Sequence, residues 1–165
     1  MSVALSENLS LVKYEITQML EADLSCIVEI EETTKLSRWG YEAYRQELFG
    51  NPTSIMRTAR GITPVNIYRK VLGFIASRVV FDELHINNVA THPTFRRLKI
   101  GTTLMEAAIK ESRIYGARRC LLEVRSGNVA AQELYNRMNF QIIGRRRDYY
   151  TNPIEDALVM QFLYY

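Results

Sequence analysis

The spacing of apolar and polar positions changes period several times along this chain, and each change marks an element. Val12 to Ile16 alternates and predicts a short strand. From Ala22 to Glu32 the period is helical, with Leu24, Ile27, Val28, Ile30 and Glu31 shaping an amphipathic face. A second helix is predicted over Tyr41 to Phe49, opened by Ser37 or Gly40 and closed by Gly50-Asn51-Pro52. The loop between them, Thr33 to Trp39, carries the only tryptophan. Ser54 to Ala59, Val71 to Val80 and Glu83 to Ala90 read as strands. The second of these is long and rich in β-branched and aromatic residues, as a central strand is. Gly61 and Pro64 are turn signals in the stretch Gly61 to Lys70, and His92-Pro93 ends the third strand.

At Ile100 the helical period returns. Ile100, Leu104, Ala107, Ala108 and Glu111 share a face, and Gly116 stands where a helix-ending glycine belongs. Arg119 to Val124 predicts a strand. Asn128 to Met138 predicts a helix with Ala131, Leu134, Tyr135 and Met138 on one side. Phe140 to Tyr150 and Ala157 to Leu163 close the chain as two strands. The order is β-α-α-β-β-β-α-β-α-β-β. Strand-helix-strand implies parallel pairing in the second half, and consecutive strands imply antiparallel pairing before it. The fold class is therefore α/β (α+β by stricter naming), with a mixed sheet of about seven strands in one domain spanning 1–165.

Composition narrows the class. A chain of 165 residues with 47% apolar and 24% charged positions suits one globular domain and excludes disordered and collagen-like chains. The 21 Lys+Arg against 18 Asp+Glu leave a net charge of +3, too small for a non-specific nucleic-acid binder, so no direct nucleic-acid partner is expected. No apolar run is long enough for a membrane span, and Met1 to Val12 lacks the pattern of a secretory signal. A cytoplasmic location follows. Cys26 and Cys120 fit no metal or redox spacing and read as two inert core thiols. His85 and His92 lack a ligand pattern, so no metal is expected.

The stretch Val89 to Thr103 carries the chemistry. A strand runs into a basic loop with Arg96, Arg97 and Lys99, and a helix starts near Gly101. First-turn N–H groups lack intrahelical partners, so this arrangement favours a phosphate or pyrophosphate.

His92 to Gly101 resembles the acetyl-CoA loop of the GNAT superfamily of acyltransferases, whose pattern is Q/R-x-x-G-x-G/A. Arg96 and Gly101 match its ends, while Lys99 stands at its first glycine. A lysine suits that position with a negative φ and a side chain turned from the phosphates; pairing with a phosphate is the other use open to it. Leu122-Glu123-Val124-Arg125, then Asn128, Ala131, Leu134-Tyr135 and Asn139-Phe140 resemble the L-E-V-R-x-x-N-x-x-A-x-x-L-Y-x-x-x-G-F pattern of RimI-type enzymes, the ribosomal-protein alanine N-terminal acetyltransferases. Asn139 replaces a glycine there, and asparagine tolerates left-handed angles. Arg146-Arg147-Asp148-Tyr149-Tyr150 and Glu155 to Met160 resemble the ending of that type. The likeness is good from about Val71 to Met160 and faint before.

The resemblance implies a GNAT-like sheet with helices on both faces and acetyl-CoA bound between splayed parallel strands. It implies that Val89, Ala90, Thr91, Arg96, Arg97, Leu98, Lys99, Ile100, Gly101, Thr102 and Asn128 bind this cosubstrate. It makes Glu123 the general base and Tyr135 the proton donor to the departing thiolate. Tyr149 and Tyr150 would line the acceptor slot, with Trp39 on the opposite wall. The acceptor would be a protein N-terminus, a ribosomal protein among the candidates, and the enzyme a monomer or weak dimer that acts without metal, membrane or acyl-enzyme.

The residues leave blander readings open. Glu123 suits a wet cleft with Arg125 as its same-face partner, Tyr135 suits core packing, and Asn128 suits a helix cap. Two other functions also remain: acetylation of a lysine side chain or small amine, with Glu31, Glu32 and Glu42 as a carboxylate cluster, or CoA binding with little catalysis.

Overall fold

In the computed structural model, residues 12–34, 36, 38–62 and 71–165 are described. Ser37, Pro64 and most of the Gly61 to Lys70 turn region lie outside them, as does most of Met1 to Val12. The elements are β1 (Lys13–Gln18), α1 (Leu24–Thr34), α2 (Gly40–Gly50), β2 (Ser54–Ile62), β3 (Val71–Val80), β4 (Glu83–Thr91), α3 (Ile100–Ser112), β5 (Arg119–Arg125), α4 (Val129–Arg137), β6 (Gln141–Thr151) and β7 (Ile154–Leu163). The element order is the one the sequence predicts, with shifted ends. A single 3-10 turn, Glu21–Asp23, precedes α1, because the Asp23 carboxylate accepts the Leu20 N–H at 2.8 Å and holds the entry. β2 runs past Ala59 to Ile62 because β1 pairs along it to that residue. β7 starts at Ile154, opposite Thr151, where the hairpin with β6 closes.

The strands form one sheet in the order β1-β2-β3-β4-β5-β7-β6. All neighbours are antiparallel except β4 and β5, the pair joined through α3. Successive side chains on a strand point to opposite faces. Phe74 and Ala76 therefore meet Leu24, Ile27, Ile30 and Tyr44 of α1 and α2. Their neighbour Ile75 joins the other core with Leu104, Met105 and Ala108 of α3 and Tyr135 of α4. Each fully buried aliphatic side chain contributes roughly 1.5–3 kcal/mol, so the helices on each face hold the sheet between them.

Two expectations are corrected. Cys120 is buried, but Cys26 is exposed. It sits two residues after core-facing Leu24, about 200° around the helix, and so faces outward. The carboxylates Glu31, Glu32 and Glu42 do not gather. Glu31 is 1% exposed and accepts from the Trp39 N–H at 2.7 Å, the Gly40 N–H at 3.0 Å and the Tyr44 hydroxyl at 2.8 Å. It is an internal cap for the start of α2. Glu32 pairs with Arg38, and Glu42 approaches Arg45 at 4.0 Å. Among the described residues no helix is long and apolar enough to cross a membrane.

Candidate active site

β4 and β5 pair only from Glu83–Arg119 to Ile86–Leu122. Just beyond, the β3–β4 register slips: Ser77 pairs with Ile86 and Ala76 with Asn88, so Asn87 is an extra residue. Such a bulge bends its strand. β5 meanwhile stays with β7 as far as Arg125. The two strands part, and a cavity of about 1650 Å³ opens there. That exceeds the ~300–1,000 Å³ of an ordinary small-molecule pocket and suits a long ligand.

Two glycines shape its upper end. A Cβ on Gly73 would lie 2.7 Å from the Ala90 carbonyl oxygen and 2.9 Å from Ile100 Cγ2, so only glycine lets α3 start this close to β3 and β4. A Cβ on Gly101 would stand 3.4 Å from Leu134 and 3.8 Å from Thr91. Val89, Ala90 and Thr91 line the cavity from β4, and Asn128 lines it from the start of α4. Arg96, Arg97, Lys99, Ile100, Gly101 and Thr102 line it from the loop and first turn of α3. Leu98 does not line it; its side chain packs on the core. Asn128 caps α4 by accepting the Ala131 N–H at 3.2 Å.

Lys99 differs from expectation. Its φ is +60°, left-handed, and Arg97 is left-handed too at +70°. The lysine thus keeps the backbone shape that the glycine of the pattern allows. The left-handed region costs an L-residue about 1–2 kcal/mol but is not forbidden. Here the chain must leave the turn Pro93–Phe95 and enter α3 within a few residues. Tyr14 on β1 braces this turn: its hydroxyl donates to the Leu98 carbonyl at 3.1 Å and lies 3.0 Å from Thr103 Oγ1. Nothing in the local sequence pointed to Tyr14, since it reaches α3 only through the folded sheet. Thr34 and Leu36, at and just after the end of α1, line the cavity and were likewise not anticipated.

Across the cleft the site is built from side chains: Arg125 and Glu155 line the cavity, whereas Glu123, Arg146, Tyr149 and Tyr150 lie beyond its lining. Glu123 lies on the parted segment of β5, with Arg146 Nε 2.8 Å from its Oε1. The Tyr149 hydroxyl hydrogen-bonds to the same carboxylate, which raises the phenol's pKa. Arg125 is not the partner of Glu123. It pairs with Glu155 at 3.2 Å, and its guanidinium stacks 4.0 Å over the Tyr150 ring. Same-strand spacing suggested Arg125, but the hairpin β6–β7 supplies closer partners for both residues. Tyr149 and Tyr150 meet edge-on, ring centres 5.2 Å apart, and burial pushes the Tyr150 pKa up to about 12.

Tyr135 is 7% exposed and does not line the cavity, although Ala131 and Leu134 of the same helix do. Its ring sits 5.8 Å from Phe140, burial raises its pKa, and Cys120 and Tyr150 are its titratable neighbours. Trp39 stands apart from the two tyrosines of β6. It packs on Tyr44 at 5.2 Å and lines a shallow hollow with Arg38, Glu47 and Arg78.

Comparison with known proteins agrees with this geometry. A Bacillus subtilis (strain 168) protein, provisionally named a ribosomal protein bS18-alanine N-acetyltransferase, is 32% identical over 90% of this chain and 94% of its own length. The ribosomal protein bS18-alanine N-acetyltransferase of Escherichia coli (strain K12) is 29% identical over 88% of this chain and 94% of its own. A crystal structure of the Escherichia coli ribosomal-protein-S18-alanine N-acetyltransferase superposes with a TM-score of 0.77 at 27% identity, over 92% of this chain and 94% of that one. Arabidopsis thaliana NAA60 in complex with acetyl-CoA shares the fold, with a TM-score of 0.81 at 18% identity over 92% and 98% of the two chains. The model of the acetyltransferase (GNAT) family matches residues 21–140. On the parted strands, the basic turn at the start of α3 and this match, the chain belongs to the acetyltransferase (GNAT) family.

Proposed function

We propose that this protein moves the acetyl group of acetyl-CoA onto the α-amino group of a protein N-terminus, with a ribosomal protein of the bS18 type as acceptor. The observation that carries this reading is Glu123 on the parted segment of β5, held by Arg146 and Tyr149 beside an aromatic pair. The names of the relatives support the acceptor class. A ribosomal acceptor puts the reaction in the cytoplasm.

The residues present fit acetyl-CoA. Arg96, Arg97 and Lys99 surround the α3 N-terminus, whose free N–H groups and dipole favour phosphate oxygens. The parted strands leave room for the pantetheine arm, with Val89, Ala90 and Thr91 offering backbone groups along one side. A backbone N–H near Val89 would steady the carbonyl oxygen as negative charge develops on it. Acetyl-CoA supplies the activated acetyl thioester.

The chain supplies the proton transfers. An amine attacks only in its neutral form. An α-amine with a pKa of about 7.7–8.0 is partly neutral at pH 7, whereas a lysine amine near about 10.4 is some two to three decades less available. One carboxylate, Glu123, working through water suits the first better than the second. The resemblance makes Tyr135 the proton donor to the departing sulfur; it lies just behind cavity-lining Ala131 and Leu134, so its hydroxyl must come into the cavity to act. Because burial raises its pKa, the phenol carries its proton throughout the working pH range. Neither thiol is placed as a nucleophile: Cys120 is buried, which pushes its pKa up, and Cys26 faces outward from α1 away from the cavity lining. Transfer is therefore direct from cosubstrate to acceptor.

The test uses acetyl-CoA and short peptides with a free N-terminal Ala, Ser, Met or Glu and one internal lysine. Mass spectrometry locates the added acetyl group. The expected result is α-amine acetylation, fastest on the Ala peptide, with Glu123→Gln slower by about 10²–10³-fold. Acetylation confined to lysine overturns the proposal.

A further inference from the structure

Arg146 reaches Glu123 from two strands away, since β7 lies between β5 and β6. Register puts it on the right face: Arg146 pairs with Ala157 and Ala157 with Arg125, which shares a face with Glu123, and a bulge follows directly after Arg146. Arg146 pairs with Ala157 and Tyr150 with Glu155, so four steps along β6 match two along β7. Asp156 holds the bulge from both sides. One carboxylate oxygen accepts the Asp148 N–H at 2.8 Å, and the other accepts Arg145 Nε at 2.5 Å. Asp148 takes a left-handed φ of +49° to make the turn. Tyr149, inside the bulge, joins Arg146 at Glu123, and the Arg146 guanidinium lies 5.5 Å from the Tyr149 ring centre. The next cation along β5, Arg125, is engaged by Glu155, the Pro153 and Asn152 carbonyls and the Tyr150 ring.

We infer that Arg146 is a positioning residue for Glu123, placed on its face by the β5–β7–β6 register just ahead of the Asp156-anchored bulge. The inference rests on the reading of Glu123 as the base. A carboxylate has about four lone-pair sites. Arg146 and Tyr149 occupy two, fix the orientation of the group, and leave the others toward the acceptor amine. The ion pair does little for folding: Arg146 is 58% exposed and Glu123 26%, and pairs so open to water add little stability. Its value lies in geometry, because a small misplacement of a reacting group costs up to about 10²-fold in rate.

The experiment measures kcat and both KM values for the full-length protein with the Ala peptide and acetyl-CoA. The variants are Arg146→Ala, Arg146→Lys, Glu123→Gln and the double variant Glu123→Gln with Arg146→Ala, each checked by thermal melting. Arg146→Ala is expected to lower kcat about 10–30-fold. Its melting point and the KM for acetyl-CoA stay unchanged, and Arg146→Lys recovers much of the loss. In the Glu123→Gln background, removing Arg146 changes the rate by less than about twofold, because its effect passes through the carboxylate. Independent, multiplicative losses overturn the inference, as does a rise in peptide KM alone. Full activity of Arg146→Ala beside an inactive Glu123→Gln overturns the positioning role and leaves the base intact. Full activity of Glu123→Gln overturns both.

Discussion

The two walls of the cleft are built in different ways. The wall at the start of α3 is made by backbone: two left-handed residues, Arg97 and Lys99, a helix N-terminus, and Gly73, where a side chain would collide. The wall at β5 and the β6–β7 hairpin is made by side chains that meet from distant positions. Glu123 meets Arg146, Arg125 meets Glu155 and Tyr150, and Asp156 holds Arg145. A phosphate needs a fixed array of donors, which backbone provides without side-chain entropy. Proton transfer needs particular titratable groups at particular spots, which backbone cannot supply. The difference predicts that cosubstrate binding tolerates side-chain change at the loop, while turnover does not tolerate it on the facing wall.

The largest test of that difference is Tyr135→Phe. It removes one hydroxyl and keeps the ring packed on Phe140. We expect kcat to fall about 10²-fold with the melting temperature unchanged; steady-state kinetics and a thermal melt check both. An unaltered kcat would return Tyr135 to a purely packing role. Next in size is Arg125→Ala, which leaves Glu155 to Gly127 and Ser126 and uncovers the Tyr150 ring. The peptide KM should rise about tenfold, equal to ~1.4 kcal/mol, with acetyl-CoA affinity untouched. Peptide titrations at saturating acetyl-CoA read this directly, and an equal loss of cosubstrate affinity would blur the division between the walls.

The smallest effect belongs to Lys99→Gly. Glycine relieves the left-handed strain at this φ of +60°, less the entropy it adds to the unfolded chain. The net gain is at most about 1 kcal/mol, which for a chain of this size raises the melting temperature by about 2–4 °C. Acetyl-CoA affinity should move less than about fivefold, because one exposed ammonium beside a phosphate is worth at most about 1 kcal/mol. Calorimetric titration of acetyl-CoA would expose a larger role for the lysine side chain.

Much of this was legible in the chain because it is local. The period changes located all seven strands and four helices, and the run from Val89 to Thr103 named the residues of the basic turn. That reading also placed Leu98 on the cosubstrate, because within such a turn the motif does not say which side chain faces the core. Cys26 was misjudged on residue type where the helical period already turned it outward. The partner of Glu123 was out of reach: Arg146 lies two strands away, and only the strand order and register of the folded sheet bring it to the same face.

By itself, then, the sequence determined the order of elements, the mixed sheet and the family, because periodicity and contiguous motifs act over short stretches of chain. The tertiary structure decided what no short stretch contains. It set where β4 leaves β5, that Tyr14 braces the basic turn before α3, and that Glu31 closes inward as a cap. It also gave Glu123 its arginine from across the hairpin. Each of these depends on register between strands, and register is set by the packing of the whole sheet.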